Sequence, residues 1–513
     1  MSTGAMQPVD FLYDGASRDP AAVAVETDDT RLSYAGFLAD VEALAAALQS
    51  LDPTRGSRVG ICAHNTLEHL TALLATYAAG KVWVPLNPRN GRAELDAMIA
   101  ATRPGVIVAD ESCAAAFSPP GVPVVLGKSA AAPEESVRGL IRRYRGRRPE
   151  RVERRPEDVQ IIKFSGGTTG SPKGVLQSVR CINALTRSIL ETFEFGSDDC
   201  NLIAAPLTHG SSCFVLPVLA RGGRLVLLEK PAAPAILQAF AERGVTTAYL
   251  PPTLFYTLMA EPGATGRGYP ALRHLIYSAA PMPPERIRDA RRVFGPVVET
   301  AYGQVEAPQM ITAMRAREFE DERNLTSVGR ATVMTRVEVM DPERRLLPRG
   351  ELGEVVVRGD LVMSGYLDRP ELTAETIVDG WLHTGDLGVL DERGYLYLRS
   401  RVRDVIISGG FNVYPADVEA VLGRHPAVRE CIVFGVDDPK WGEAVHAAVQ
   451  LRAGALATEA ALIQFVKAEL DSVKAPKRIH LVEELPKSTA GKVSRRAVRE
   501  RVLGDGATRA VGG

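Results

Sequence analysis

The strongest constraint on the fold is the alternation of short apolar runs with amphipathic segments along much of the chain. The runs 58–62, 81–86 and 105–109 are typical of buried strands, and residues 33–48 place apolar side chains on one helix face, with Ser33 as N-cap. Strands that alternate with helices usually pair in parallel under a cover of helices. The sequence therefore predicts an α/β fold. Because 513 residues with 45% hydrophobic content exceed one core, we expect at least two domains.

Residues 164–174 form a glycine-rich loop that holds four glycines, four hydroxyl side chains and one lysine. Glycine lets the backbone approach a ligand closely, hydroxyls donate to anionic oxygens, and lysine adds a positive charge. The apolar run 159–164 predicts a buried strand that delivers the loop at its carboxyl end. This composition indicates a phosphate-binding loop, and an ordinary polar surface loop is the alternative.

Two commoner phosphate motifs are excluded by the spacing within the glycine-rich loop. Lys173 follows Pro172 and precedes Gly174, so the loop lacks the Gly-Lys-Ser/Thr ending of a Walker motif. The Gly-Gly-Thr-Thr-Gly run also lacks the Gly-x-Gly-x-x-Gly spacing of dinucleotide folds, which removes the main support for hydride chemistry.

Charge and cysteine usage narrow the functional class further. With 61 basic and 62 acidic residues the net charge is -1, which argues against a global nucleic-acid or membrane role. The arginine-rich segment 138–155 is a conceivable nucleic-acid patch, but we interpret it as a solvated connector. Six cysteines without a Cys-x-x-Cys pair indicate reduced thiols. Because residues 1–15 lack an apolar stretch long enough for a signal peptide or membrane span, we expect a cytoplasmic protein.

The glycine-rich loop resembles the signature loop of the acyl-adenylate-forming superfamily, which holds acyl- and aryl-CoA synthetases, peptide-synthetase adenylation domains and luciferases. Gly166 is a departure, because the family more often has serine there. The resemblance implies a large N-terminal domain of mixed or parallel sheets with a small β-barrel-like part, followed by a small mobile α+β domain. Thr168 is implied in catalysis. The implied ATP- or AMP-binding residues of this loop are Ser165, Gly166, Gly167, Thr168, Thr169, Gly170 and Lys173.

A later segment, ending at Glu306, resembles the family's Tyr-Gly-x-Thr-Glu motif. A tyrosine offers a face for stacking on adenine, and a carboxylate can hold the Mg²⁺ that neutralises a triphosphate. The resemblance assigns Tyr302 and Gly303 to the nucleotide, and Glu306 to the metal and to catalysis. Val305 is a departure, since it replaces a hydroxyl that the family places on the α-phosphate.

Two polar residues are expected at the ribose. Asp386 matches the family aspartate that accepts from both ribose hydroxyls, since a carboxylate is an acceptor with two oxygens. Arg401 matches an arginine that contacts ribose or phosphate. Arg403 lies where the family has its hinge, which predicts an N-terminal ATP- and acyl-binding domain over 1–402 and a mobile lid over 403–513.

The C-terminal segment carries the residues implied in CoA binding and in adenylate formation. A Gly-Gly pair permits close backbone approach to a narrow ligand, and in CoA ligases the corresponding loop lines the pantetheine tunnel. Lys492 lies where the family has its catalytic adenylation lysine, which would stabilise the charge that develops at phosphorus. The implied CoA-binding residues are Gly409, Gly410, Trp441, Lys474 and Lys477.

The strand end at 207–212 is expected to border the acyl pocket. A lone histidine is usually structural, but His209 precedes three small residues and matches the family position against the acyl carboxylate, a catalytic role. No acidic residue lies at this turn to pair with the amino group of an amino-acid substrate, and Ala301 stands where dicarboxylate ligases use arginine. We therefore expect the acyl substrate to have an uncharged tail. Ala280 is expected beside the adenine. The expected pocket residues are His209, Gly210, Ser211, Ala279 and Met310, with Phe255 and Tyr256 as weaker wall candidates.

Residues and resemblance together predict an ATP-dependent acid–thiol ligase. A small aryl, alicyclic or medium-chain carboxylic acid becomes acyl-AMP with release of pyrophosphate, and the acyl group then passes to CoA. A carrier-protein thiol is the alternative acceptor, and a non-catalytic binding module that has kept the fold is the rival from another class. ATP, Mg²⁺ and CoA are the expected cofactors. We expect no nucleic-acid partner, no membrane span, and a monomer or homodimer.

Overall fold

The computed structural model describes residues 6–114, 121–129, 133–165, 172–229, 231–486 and 493–509. Its helices are α1 (Asp10–Arg18), α2 (Tyr34–Leu51), α3 (Leu67–Ala78), α4 (Arg92–Thr102), α5 (Glu111–Ala114), α6 (Val137–Tyr144), α7 (Val179–Phe193), α8 (Val215–Ala220), α9 (Ala233–Glu242), α10 (Pro252–Ala260), α11 (Pro284–Phe294), α12 (Pro370–Thr376), α13 (Pro415–Arg424), α14 (Glu459–Glu469) and α15 (Arg495–Arg509). Its strands are β1 (Val23–Glu26), β2 (Arg31–Ser33), β3 (Arg58–Cys62), β4 (Val82–Pro85), β5 (Val106–Ala109), β6 (Val124–Leu126), β7 (Val159–Ser165), β8 (Lys173–Ser178), β9 (Cys200–Ile203), β10 (Arg224–Leu227), β11 (Thr247–Leu250), β12 (His274–Tyr277), β13 (Val298–Tyr302), β14 (Thr312–Met314), β15 (Arg330–Ala331), β16 (Thr335–Met340), β17 (Leu352–Gly359), β18 (Gly365–Tyr366), β19 (Ile377–Val378), β20 (Trp381–Leu390), β21 (Leu396–Arg401), β22 (Ile406–Ser408), β23 (Phe411–Val413), β24 (Val428–Asp438), β25 (Gly442–Leu451) and β26 (Arg478–Val482).

The described strands form four sheets, of which two are large and mainly parallel. The first large sheet has the order β15-β14-β13-β12-β11-β9-β10-β1-β2, and β1 and β9 to β13 run parallel to one another. The second has the order β18-β8-β7-β4-β3-β5-β6, and β3 to β7 run parallel. The α/β prediction is confirmed.

Capping side chains fix where the helices between these strands begin. The Ser33 hydroxyl accepts a hydrogen bond from the Gly36 amide at the start of α2, as the sequence predicted, and Thr66 caps α3 through the His69 amide. Each cap satisfies an amide that the first helical turn leaves without a partner. The predicted apolar face of α2 is fully buried through Phe37, Val41, Leu44 and Leu48.

Parallel pairing brings several strand ends to a common edge of each large sheet. In the second sheet, β7 ends at Ser165, and its register partner Lys173 begins the antiparallel strand β8. In the first sheet, β9, β11, β12 and β13 end at the same edge. The turns at 204–209, 278–280 and 303–306 therefore leave this sheet from one side.

A third, antiparallel sheet holds β16, β17, β20, β19 and β21. It is the part that the resemblance predicted to be barrel-like. Asp386 on β20 and Arg401 on β21 are register partners in this sheet, so the pairing itself places their side chains close together.

The fourth sheet holds β23, β22, β25 and β24, with β26 beside β25. Helices α13 and α14 cover it and share with it a hydrophobic cluster in which every member lies at or after Ile406. This smaller unit has the predicted α+β character. The domain boundary between residues 402 and 403 stays a prediction.

The six cysteines are free in the structure. No helix within the described ranges combines the length and the apolar character that crossing a bilayer requires.

Candidate active site

The glycine-rich loop connects β7 to β8. Its flanks are described, and the Ser165–Lys173 register pair closes the base of the hairpin. The ammonium of Lys173 lies 5.8 Å from the centre of the Tyr366 ring. The predicted phosphate-binding residues Gly166, Gly167, Thr168, Thr169 and Gly170 lie outside the described residues, as does Lys492.

Glu306 lies beside this hairpin and has a partner that the sequence did not reveal. The Tyr366 hydroxyl donates a hydrogen bond to Glu306 Oε1 at 3.0 Å. Burial and the nearby carboxylate raise the pKa of Tyr366, so the phenol stays protonated as a donor. Tyr366 thus contacts the proposed metal carboxylate and the loop lysine, Lys173, at the same time.

The donor set at Glu306 can be compared with the needs of Mg²⁺. The described ranges contain no cluster of three or more histidine, cysteine, aspartate or glutamate side chains able to hold a metal ion. In nucleotide sites Mg²⁺ takes one or two carboxylates and completes its shell with substrate phosphates and water. A single carboxylate at Glu306 therefore fits such a metal only together with a bound triphosphate.

Asp386 is the centre of a buried polar cluster. The Tyr302 hydroxyl and the Gln304 amide donate to its Oδ2 atom at 2.6 and 2.7 Å, and Arg401 Nε lies 3.2 Å from Oδ1. Burial, followed by the Asp386 charge, raises the pKa of Tyr302 well above its ordinary value. The structure thus brings together Tyr302, Asp386 and Arg401, three of the predicted nucleotide residues. Gln304 was missed, because the resemblance leaves its position variable.

Gly303 has a structural reason to be glycine. A Cβ atom at this position would lie 2.3 Å from the backbone nitrogen of Gln309, a distance that no side chain can occupy. Gln309 itself has a φ of 60° and a buried amide nitrogen without a hydrogen-bond partner among the described residues. Met310, a predicted pocket residue, is fully buried in the large core cluster.

The turn after β12 is strained. Ala279 has a φ of 78°, in the left-handed region that residues with a Cβ rarely adopt, and Ala280 keeps accessible surface beside it. Strain of this kind is held in place where surrounding structure requires it, often at ligand sites. Phe255, a predicted wall, instead packs against Tyr277 and Phe294 in the second core cluster.

His209 is fixed from both sides. Its Nδ1 atom lies 2.9 Å from the Thr208 hydroxyl, and its carbonyl accepts hydrogen bonds from Ser212 Oγ at 2.8 Å and from Lys163 Nζ at 3.1 Å. Gly210 lies against Tyr249, where a Cβ would come within 2.6 Å of the phenol oxygen. Lys163 and Tyr249 were missed, although a lysine inside the apolar run 159–164 was a visible signal.

The C-terminal unit brings together several of the predicted CoA residues. Gly409 and Gly410 have φ values of 59° and 83°, and the Gly409 amide donates to the Trp441 carbonyl at 2.7 Å. Lys477 Nζ lies 5.2 Å from the centre of the Trp441 ring. Lys474 forms a partly exposed ion pair with Asp471 at 3.5 Å and makes no hydrogen bond, ion pair or ring contact with Trp441 among the described side chains.

Asp404, directly after the predicted hinge, is bound to the last helix. Arg495 donates to Asp404 Oδ2 at 2.6 Å, to Glu419 Oε1 at 2.8 Å and to the Val433 carbonyl at 2.6 Å. Burial, with the nearby Arg401 charge, lowers the pKa of the Arg403 guanidinium.

A cleft of about 810 Å³ lies between the N-terminal unit and the C-terminal sheet. Its walls include Pro251 and Tyr256. Burial and the positive charge of the neighbouring Arg286 lower the pKa of Arg452, which also lines the cleft. Asp289 and Glu430 only partly balance the positive charge. The arginines in its wall are Arg89, Arg286, Arg292, Arg429 and Arg452. Such a cleft suits a ligand with several phosphate groups.

Comparison with known proteins identifies the setting of these residues. A family model described as AMP-binding enzyme matches residues 12–367, and one described as AMP-binding enzyme C-terminal domain matches residues 417–492. The chain is 33% identical to feruloyl-CoA synthase of Amycolatopsis sp over 501 residues, 95% of this chain and 97% of that protein.

Two further proteins are similar. Medium/long-chain-fatty-acid–CoA ligase FadD8 of Mycobacterium tuberculosis is 40% identical over 364 residues, which cover 70% of this chain but only 63% of FadD8. The crystal structure of ATP-bound MatB from Rhodopseudomonas palustris matches with a TM-score of 0.88 at 30% identity, over 97% of this chain and 99% of that one.

Proposed function

Because this chain belongs to the AMP-binding enzyme family, we propose that it is an AMP-forming carboxylic acid–CoA ligase. Membership confirms the resemblance predicted from the glycine-rich loop. The observation that carries the proposal is the cluster in which Asp386 binds Tyr302 and Arg401. Tyr302 lies 84 positions before Asp386, and together the three side chains supply the acceptor, the flat ring and the cation that suit a nucleotide.

The first half-reaction is the attack of a substrate carboxylate oxygen on the α-phosphorus of ATP, which forms acyl-AMP and releases pyrophosphate. Lys173 supplies positive charge at the end of the glycine-rich loop, and Lys492 supplies a second cation at the α-phosphate. Charges placed in advance where negative charge develops are the main source of catalysis in phosphoryl transfer. A bound Mg²⁺ would neutralise phosphate charge, with Glu306 as its protein ligand.

The second half-reaction is the attack of the CoA thiol on acyl-AMP, with AMP as the leaving group. The exposed turn at Gly409 and Gly410, beside Trp441, offers backbone that a narrow pantetheine arm can approach. The arginine-lined cleft supports CoA as the acceptor, since CoA carries three phosphates. Between the two steps, rotation of the C-terminal unit about Arg403 would withdraw Lys492 from the active site and bring in the turn at Gly409 and Gly410.

The proposed acids are aryl, alicyclic or medium-chain. Small residues follow His209, which we place against the acyl carboxylate, and Ala279 and Ala280 keep accessible surface at the neighbouring turn. The relatives named above act on feruloyl and fatty acyl groups according to their names, which supports the same range for this chain. The oligomeric state and a cytoplasmic location stay predictions.

A screen of carboxylic acids for ATP-dependent pyrophosphate release tests the proposal directly. We expect release with at least one aryl, alicyclic or medium-chain acid, AMP as co-product, and an acyl-CoA thioester once CoA is added. The variant Asp386→Ala should lose release with every acid. A wild-type protein that forms no AMP with any acid contradicts the proposal, and a thioester found only on a carrier protein contradicts CoA as acceptor.

A further inference from the structure

Lys163 is an ammonium group placed inside the N-terminal unit. It lies on β7, two residues before the end of the strand, on the same face as Ile161, which belongs to the large core cluster. Its Nζ atom donates to the His209 carbonyl at 3.1 Å and lies 5.9 Å from the centre of the Trp83 ring. The side chain therefore reaches from the second sheet to the turn that begins the predicted acyl pocket.

This ammonium has donors to spare. An ammonium carries three N–H groups, and among the described side chains and backbone Lys163 donates to one acceptor, the His209 carbonyl. The titratable group that interacts with Lys163 is the thiol of Cys213, not a carboxylate, and burial raises the pKa of this thiol, so that it stays neutral. Burial also lowers the pKa of Lys163. A cation in this position without a counter-charge is costly unless a ligand supplies an acceptor.

The residues around Lys163 are not sealed from solvent. Although they lie between two sheets, Lys163, His209, Gly210 and Cys213 all retain accessible surface. The hydroxyl of Ser211, a residue only 2% exposed, has no hydrogen-bond partner within the described part of the chain. The spare N–H groups of Lys163 and the hydroxyl of Ser211 thus lie at the same turn of small residues, and each could donate to a ligand.

We propose that Lys163 is a specificity residue that donates a hydrogen bond to an oxygen on the tail of the acyl substrate. The substrate class is therefore a carboxylic acid that bears a keto oxygen or a second carboxylate, rather than a plain hydrocarbon acid. The proposal rests on the proposed ligase function. For a keto acid it narrows the sequence-based expectation of an uncharged tail, and for a dicarboxylic acid it departs from that expectation, which considered the positions beside His209 and Tyr302 but not β7.

The alternative is a purely structural lysine that holds the His209 turn. The two roles differ in what they predict for a series of acids. A structural lysine affects every acid alike, because all of them need the same turn. A specificity residue affects only those acids that carry the acceptor, and it acts mainly through KM.

The test compares wild type with Lys163→Met, Lys163→Gln and the surface control Lys128→Met, whose parent lysine pairs with Glu229 away from this site. Each protein is assayed by pyrophosphate release with three acids of matched length: a plain acid, its keto derivative and its second-carboxylate derivative. Since one hydrogen bond from a charged group is involved, we expect wild type to prefer one oxygen-bearing acid over the plain acid by about 10- to 100-fold in kcat/KM. Lys163→Met should abolish that preference, because it lowers kcat/KM for the oxygen-bearing acid about 10-fold or more beyond any loss that it causes with the plain acid.

The glutamine variant separates the two acceptors. It keeps an N–H donor without charge, so it should retain a preference for the keto acid and lose one for the dicarboxylic acid. An unchanged preference in Lys163→Met, or an equal loss with all three acids, overturns the proposal, and so does a wild type that prefers the plain acid. Release of no pyrophosphate by wild type with any acid contradicts the ligase function itself. If Lys163→Met fails to fold, Lys163→Leu, which also lacks an N–H donor, is assayed in its place and judged by the same ratios.

Discussion

Replacing Tyr302 by phenylalanine tests whether the cluster around Asp386 serves a nucleotide. The change keeps the ring and removes the hydroxyl that donates to Asp386 Oδ2 at 2.6 Å. A hydrogen bond to a charged group contributes about 1.5–3 kcal/mol to the free energy of unfolding. Because Gln304 and Arg401 still bind the same carboxylate, we expect the lower end, about 1.5 kcal/mol, and a fall in Tm of no more than about 5 °C.

The same change should weaken nucleotide binding. The Tyr302 hydroxyl holds Asp386 in the orientation proposed for the ribose, and losing about 1.4 kcal/mol of that preorganisation corresponds to a tenfold weaker affinity. We expect KM for ATP to rise about 10-fold in the pyrophosphate assay at saturating acid, with kcat little changed.

Tyr395→Phe is a matched control. Tyr395 is buried to a similar degree, and its hydroxyl donates to Glu318 Oε1 at 2.7 Å in the N-terminal unit. It should lose comparable thermal stability and keep the wild-type KM for ATP. If Tyr302→Phe lowers Tm while KM for ATP stays at the wild-type value, the cluster is structural only and the reasoning is refuted.

Three further changes test other parts of the site. Gly303→Ala would place a Cβ 2.3 Å from the Gln309 nitrogen, so we expect pyrophosphate release to fall at least about 10-fold and Tm to fall as well. The control Gly423→Ala, in open space on α13, should change neither quantity. Wild-type activity in Gly303→Ala would contradict the predicted clash. Lys492→Ala should abolish acid-dependent pyrophosphate release but leave thioester formation from supplied acyl-AMP and CoA intact; equal loss of both contradicts its assigned role. Burial lowers the pKa of His446 from 6.5 to about 4, so the folded protein holds it neutral, and stability should be complete above pH 6.5 and decline as pH falls towards 4. Because the ring is partly exposed, His446→Asn should reduce that loss of unfolding free energy by no more than about 2 kcal/mol, measured by denaturant unfolding at several pH values, and an unaltered loss would exclude His446 as its source.

Local patterns predicted the elements better than the contacts between them. The apolar face of α2 and its Ser33 cap follow from residues within a few positions of one another, and both are present in the structure. Tyr302, Asp386 and Arg401 were assigned to the nucleotide by separate motifs, and the structure places them in contact.

The missed contacts depend on how distant segments pack. Tyr366 donates to Glu306 across 60 positions, and Lys163 donates to the His209 carbonyl across 46. Neither distance leaves a periodic signal in the sequence, because it is set by which strands become neighbours. The lysine was visible only as a charge within an apolar run.

The ion pairs of Arg495 decide which side of the hinge Asp404 belongs to. Arg495 joins Asp404 to Glu419 and to the Val433 carbonyl, so Asp404 belongs with the C-terminal unit. If the proposed lid rotates, we therefore predict that the rotation occurs in the residues just before Asp404. Arg495 also lies only three positions after Lys492 in the sequence, so the residue that binds Asp404 beside the proposed hinge is a close chain neighbour of the proposed adenylation lysine.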